Sequence, residues 1–362
     1  MSTPGKSKGP LLKEEGPAAN ANGSNTNHKI RTLDLFCGAG GSSWGARKAG
    51  VKIVAAFDLW PLAKEAHEAN FPEAEFIPGR LEQLDVDALV ARLGRIDLIL
   101  ASPECTSHSP AKGNKPRCEK SKETAFQVVR FAAAFKPRWL VIENVVSMRR
   151  WKRYAEFKQA LQALGYKLRE QVLNASNFGV AQSRRRLFLT ADLNHEPPKI
   201  NPRKRTFKKV AGIVDLNGTY PWTPLRAPKR ATATLERAER GIAAMGADKP
   251  FLLVYYGSDG GGGWQKLNRP LRTITTVDRF ALVKPDKAHG HVMRMLQVPE
   301  LQAAMGMPAK MKLEAGTRRD RVKMIGNAVC PPVMRQVIKT LGPVHTKSQC
   351  LDNQGKYDES GE

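Results

Sequence analysis

The chain has 362 residues, 41% of them apolar, which is enough to bury a large core and excludes both a mini-protein and a wholly disordered tail. Lysine and arginine number 59 against 34 acidic residues, a formal charge of +25 that points to a polyanion or an acidic surface as partner. No apolar run approaches the roughly 18 residues that cross a bilayer, and the first residues lack the apolar core of a signal peptide, so a soluble, cytoplasmic protein is expected. The five cysteines, Cys37, Cys105, Cys118, Cys330 and Cys350, are odd in number and never form paired C-x-x-C units, which argues against a disulfide framework or a structural metal site.

Residues 1–28 are rich in Gly, Pro, Asn, Ser and Lys and are expected to be a disordered tail, as are residues 344–362. Between them, short β-rich runs alternate with amphipathic segments, the pattern of a parallel sheet covered by helices on both faces. Strands are predicted at about 30–36, 51–57, 74–77, 96–101, 138–142, 168–174 and 186–191, and helices at about 42–49, 61–70, 84–93, 121–135 and 152–164. These place a catalytic domain at 29–191. Residues 192–268 carry recurrent prolines, a basic run and a glycine cluster, and are expected to form a smaller domain of loops and short strands. Residues 269–343 read as a strand-rich return ending in a helix, which starts at the Pro331-Pro332 pair and stops at Gly342-Pro343.

The first strand runs into Asp34-Leu35-Phe36-Cys37-Gly38-Ala39-Gly40-Gly41 and then a helix. Glycines at such a turn let a ligand approach the backbone, and Asp58, about 20 residues on at the next strand end, is placed to accept hydrogen bonds from ribose hydroxyls. The spacing is not that of the dinucleotide fingerprint, and a tight turn without a ligand also fits it. The strand at 96–101 ends in Ser102-Pro103-Glu104-Cys105, and its neighbour delivers Glu143-Asn144-Val145. A thiol and a carboxyl group on adjacent strand ends suit nucleophilic attack with proton donation; a packed cysteine and a helix-capping glutamate are the structural alternative.

With Gln182-x-Arg184-x-Arg186 and Gly326-Asn327-Ala328-Val329, these motifs stand in the order found in one family. From Asp34 to Val333 the chain resembles the DNA cytosine-5 methyltransferases, with a variable segment between the last two motifs. The resemblance implies a doubly wound, Rossmann-like α/β methyltransferase sheet with a loop-rich target-recognition domain, S-adenosyl-L-methionine as cofactor and double-stranded DNA as substrate. It implies that Cys105 attacks C6 of a flipped cytosine, that Glu143 contacts the N3 and N4 edge, and that Arg186 holds O2 with Arg184 and Gln182 ordering the site. Phe36, Gly38, Ala39, Gly40, Asp58, Leu59 and Asn327 would form the cofactor pocket. Ser109, Lys112, Gln182, Arg203, Lys204 and Arg205 would face DNA. No metal is implied, and a monomer, with or without a cognate restriction endonuclease, is expected.

Three positions depart from the family's pattern: Glu104 and Thr106 flank the cysteine where proline and glutamine are usual, and Arg80 replaces an aspartate that meets adenine. Ser102-Pro103 also resembles the loop of enzymes that methylate exocyclic amines, so cytosine-N4 methylation stands as the alternative. RNA methylation and a silent DNA-binding relative are further readings. Trp222 and the Tyr255-Tyr256 pair read as packed aromatics rather than base-stacking groups.

Overall fold

The structure is a computed structural model that describes Met1 and residues 29–103, 124–202, 207–256 and 261–342. Seven strands form the larger sheet: β1 (Arg31–Leu35), β2 (Lys52–Asp58), β3 (Glu75–Pro78), β4 (Leu98–Ala101), β5 (Trp139–Asn144), β6 (Lys167–Asn174) and β7 (Arg185–Asp192), in the order β3-β2-β1-β4-β5-β7-β6. Helices α1 (Gly41–Ala49), α2 (Pro61–Asn70), α3 (Val86–Leu93), α4 (Ala125–Phe135) and α5 (Tyr154–Ala163) connect them. All seven strands lie where the apolar runs predict them. The sheet is not wholly parallel, however, because β7 runs antiparallel to both β5 and β6. Only a short link separates β6 from β7, too short for the crossover that a parallel pair requires.

Alternation along each strand divides the apolar side chains between two layers. Leu33, Leu35, Ile99 and Ala101 face one layer with α3, α4 and α5. Leu98, Leu100 and Val141 face the other, which continues into the C-terminal helices and the second sheet. That second, antiparallel sheet has the order β10-β9-β11-β12-β8 and is built from β8 (Thr223–Pro224), β9 (Phe251–Val254), β10 (Trp264–Lys266), β11 (Phe280–Asp286) and β12 (Gly290–Met295). Leu252, Val254, Phe280 and Leu282 pack into the shared core. Phe251, Leu253, Ala281 and Val283 pack on the opposite face with partners from α6 (Thr232–Met245).

Two expectations are corrected here. Residues 280–295 do not return to the larger sheet, so sheet membership carries the smaller unit past residue 268 to Met295. The continuous apolar run Phe280 to Val283, buried on both faces, specifies a strand but not which sheet it joins. The 14-residue α6 also lies in a stretch read as loops and short strands; its Leu235, Ala238, Ile242 and Met245 recur at helical spacing and pack with Phe251 and Leu253, a period overlooked among the recurrent prolines.

The return is made by α7 (Val298–Ala304), α8 (Arg318–Asn327) and α9 (Pro331–Leu341). Asn70 fastens it to α2, donating from Nδ2 to the Lys312 carbonyl and accepting from the Lys312 amide, both at 2.8 Å. Helix α9 lies directly on α1: a Cβ at Gly45 would stand 2.6 Å from the Pro331 carbonyl oxygen and 2.7 Å from Met334 Cβ. Neither backbone can yield without lifting a helix. Gly45→Ala should therefore lose about 1–3 kcal/mol, read from urea denaturation midpoints, despite alanine's better helix propensity.

Candidate active site

In an open α/β sheet the ligand crevice lies outside the carboxyl ends of the strands where their order reverses, here between β1 and β4. The turn after β1 is strained on purpose. Phe36 takes φ 59°, a left-handed conformation rare for a large side chain, and Gly38 and Gly40 take φ 52° and 87°. At Gly40 glycine is required twice, since a Cβ would also stand 2.6 Å from the Phe71 ring. Asp58 holds this turn to its neighbour by accepting the Gly38 amide at 2.8 Å and the Trp60 amide at 2.9 Å, one on each oxygen. Burial pushes the Asp58 carboxyl up from its ordinary range, against these amides and the nearby Lys323. Leu59 beside it is 58% exposed, and Gly38 and Gly79 both face open space, where an added Cβ meets nothing within 4 Å. A carboxylate, an exposed apolar side chain and open glycine backbone suit a nucleoside-bearing cofactor.

Beneath the turn lies a buried polar unit that the sequence did not disclose. Asp34 accepts the hydroxyls of Ser42 at 2.6 Å and Ser43 at 2.5 Å. Ser43 thereby uses its single proton, so the 3.1 Å contact with His67 Nε2 requires the imidazole to donate. Asp34 Oδ1 and His67 Nδ1 are buried with no partner. Burial is the chief cause of both shifts, raising Asp34 to about 6 and lowering His67 to about 4. His67 sits on an amphipathic helix facing inward and stacked on Phe71, a setting that sequence cannot tell from an ordinary core histidine.

The second half of the crevice is a small pocket lined by Glu143, Arg184, Arg186, Phe188, Val329 and Cys330 among others. Glu143 ends β5, is buried, and pairs with Arg186 Nε at 3.2 Å. Burial raises its carboxyl from the ordinary range, against the opposing charges of Arg186 and Arg184. Asn144, the next residue, donates to the Pro103 carbonyl at 3.1 Å and so ties β5 to the chain two residues before Cys105. Cys105 itself, with Glu104, Thr106, Ser109, Lys112, Arg203, Lys204 and Arg205, lies outside the described residues. The two described thiols are both buried and raised, Cys330 to about 11 and Cys37 well above the ordinary range, which makes them poor nucleophiles.

The spacing Gln182-x-Arg184-x-Arg186 puts three side chains on one face of an extended chain; Arg184 and Arg186 line the pocket, and Arg186 pairs with Glu143 through Nε while its Nη1 donates to the Arg185 carbonyl at 2.9 Å. Arg184 is buried, its guanidinium donating to the carbonyls of Ile274, Gly326 and Ala328 at 2.9, 2.7 and 3.2 Å. Gln182 is wholly buried, accepting the Ile274 amide at 3.0 Å and donating to the Met305 sulfur, which corrects the expectation that it contacts DNA. Asn327 is exposed at the end of α8. Of the basic residues after Glu143, Arg149 pairs with Glu170 and Arg153 with Glu156, while Arg150 and Lys152 are exposed. Tyr256 donates to the Thr273 carbonyl, and Lys284 and Arg294 cover Trp222.

A model of the C-5 cytosine-specific DNA methylase family matches residues 30–343. The chain belongs to this family. Its reaction is methyl transfer to C5 of cytosine in DNA. The Type II methyltransferase M.HindV of Haemophilus influenzae is 32% identical over 309 residues, covering 83% of this chain and 92% of its own. M.HgiDI of Herpetosiphon aurantiacus is 28% identical over 309 residues, covering 83% and 90%. A Spodoptera frugiperda DNMT2 variant shares the fold, with a TM-score of 0.62 at 17% identity over 86% of this chain and 99% of that one. Among the described residues, no helix is long and apolar enough to cross a membrane.

The unit beneath the turn makes a signed prediction. Folded Asp34 holds its proton to higher pH than the unfolded chain, so stability falls as pH rises from about 4 to 6; folded His67 releases its proton early, so stability rises from about 4 to 6.5. Each effect is roughly 3 kcal/mol and the two oppose. In urea denaturation at pH 4.5 and 7, Asp34→Asn should gain stability relative to wild type as pH rises, and His67→Gln should lose it. A gap independent of pH in both variants would refute the assignment.

Proposed function

We propose that this family member takes the methyl group from S-adenosyl-L-methionine and places it on a cytosine swung out of a short duplex DNA site, using Cys105 as a covalent catalyst. The buried Glu143–Arg186 pair at 3.2 Å, on the strand end beside the Asp58 turn, is the observation that carries the reading. Asp58 would hold the ribose, Phe36 and Leu59 the adenine, and Asn327 with the backbone of Gly38, Ala39 and Gly40 the methionine portion. When bound, the cofactor supplies an electrophilic methyl group on its sulfonium.

The Cys105 thiolate adds to C6, and the electron pair of the C5–C6 bond moves toward C5. Glu143, which burial pushes up from the ordinary carboxyl range, would contact the N3 and N4 edge and stabilise the ring as N3 gains a proton. Arg186 holds O2 and keeps Glu143 in place. After C5 has gained its methyl group it loses its proton to a base, the thiolate leaves as the C5–C6 double bond re-forms, and N3 gives back the proton it gained. Arg184 supports the pocket wall through main-chain carbonyls and so orders the site. Residues 192–295 would read the DNA site, with Ser109, Lys112, Arg203, Lys204 and Arg205 on phosphates; affinity should then fall steeply with salt. The enzyme acts as a cytoplasmic monomer and, like a type II methyltransferase, protects DNA from a companion endonuclease.

Mass spectrometry of DNA from cells expressing wild type, Cys105→Ser and Glu143→Gln tests this. Wild type should yield 5-methylcytosine, Cys105→Ser none, and Glu143→Gln should methylate about 10²–10⁴-fold more slowly in vitro. 4-Methylcytosine without 5-methylcytosine, or full activity in Cys105→Ser, would overturn the mechanism.

A further inference from the structure

The chain leaving β3 makes a 3-10 turn, Leu81–Gln83, at the side of the crevice where Pro78 pairs with Asp58. One end of this turn is anchored by the Gly79 amide, which donates to the Asp58 carbonyl at 3.1 Å. The other end is held from a different layer of the molecule. Arg130, on α4, donates from Nη2 to the carbonyls of Leu81 and Leu84 and from Nη1 to the carbonyl of Glu82 at 3.4 Å. The Leu81 carbonyl also accepts the Leu84 amide at 3.2 Å, closing the turn, and one planar guanidinium gathers it together with the carbonyls of Glu82 and Leu84. A lysine ammonium could not span the set, because it is a point donor on a flexible stem.

The arrangement matters because the turn borders open space. Gly79, at φ 126°, has nothing within 4 Å of where a Cβ would lie, and Gly38, whose amide Asp58 also holds, is equally open. Arg80 is exposed and bears donors only, so it offers no acceptor to an exocyclic amino group. Recognition at this edge of the crevice therefore depends on where the backbone of the turn stands, and Asp58 and Arg130 fix that position from its two ends. We propose that Arg130 is a positioning residue for the nucleoside end of the cofactor: it does not touch the ligand but sets the wall formed by residues 79–84. This rests on the cofactor reading above.

Calorimetric titration of S-adenosylhomocysteine into the full-length chain without DNA tests it directly, with steady-state methylation measured in parallel. Arg130→Lys, which keeps charge and length, should bind at least tenfold more weakly and raise KM for S-adenosylmethionine by a similar factor, with kcat at saturation within about twofold of wild type. In Arg130→Ala, millimolar ethylguanidinium should restore binding, which general loosening of the fold would not allow. Binding by Arg130→Lys within twofold of wild type overturns the proposal, and so does a fall in kcat with KM unmoved. If wild type itself fails to bind S-adenosylhomocysteine, the cofactor reading fails together with the inference.

Discussion

Three carbonyl oxygens from distant parts of the chain, those of Ile274, Gly326 and Ala328, converge on the buried guanidinium of Arg184. A charge taken out of water is tolerated only when its hydrogen-bonding capacity is met, and these carbonyls would otherwise be buried acceptors without donors. The bond set thus joins β7, the segment entering the smaller sheet and the α8–α9 turn into one wall. Gln182 adds the Ile274 amide from the same strand face, and Gly326 permits the contact, since a Cβ there would stand 2.2 Å from the Thr275 oxygen. Arg186, two residues further along β7, owes its aim at Glu143 to this fixed backbone. The two sheets also share one apolar layer.

On the cofactor side the organising cost is different. Asp34 keeps a carboxylate in the core with one oxygen unpartnered, an arrangement that destabilises the ionised fold. His67, also buried and also one atom short of partners, shifts in the direction that opposes the resulting pH dependence. The strained Phe36 and the left-handed glycines sit directly above this pair. Such concentration of unfavourable terms is expected where a backbone must be preorganised for a ligand. It explains why the turn is braced from so many directions: by Asp58, by the Phe71 ring against Gly40, and by α9 against α1.

The strands and the glycine turn were legible because their signals are local. Period-2 apolar runs locate β1 to β7, and only glycine accepts the backbone of residues 38 and 40. Most of what failed to show depends on partners far along the chain. The continuous apolar run of β11 would serve either sheet equally, while the stripe of α6, Leu235, Ala238, Ile242 and Met245, went unread among the recurrent prolines of that stretch. Gln182 carries the same polar label whether it meets a base or a buried amide, and its register beside Ile274 is a tertiary fact. Arg130 looks like any surface arginine on an amphipathic helix; its function lies in carbonyls almost fifty positions away.

The pocket also contains its own measure of how a thiol fares there. Cys330 feels both arginines, which favour its ionisation, and Glu143, which opposes it, yet burial prevails and leaves it at about 11. The positive charges of this wall are therefore insufficient to make a thiolate of a fully buried cysteine near neutral pH. A nucleophile working against the same wall must keep more solvent than Cys330 does, or give up its proton only as it attacks. The carboxylate of Glu104, adjacent in sequence to Cys105, pushes in the wrong direction for either route unless it is neutralised. Lysines and arginines are plentiful in the segment that follows it, and pairing with one of them would convert that liability into a neutral neighbour.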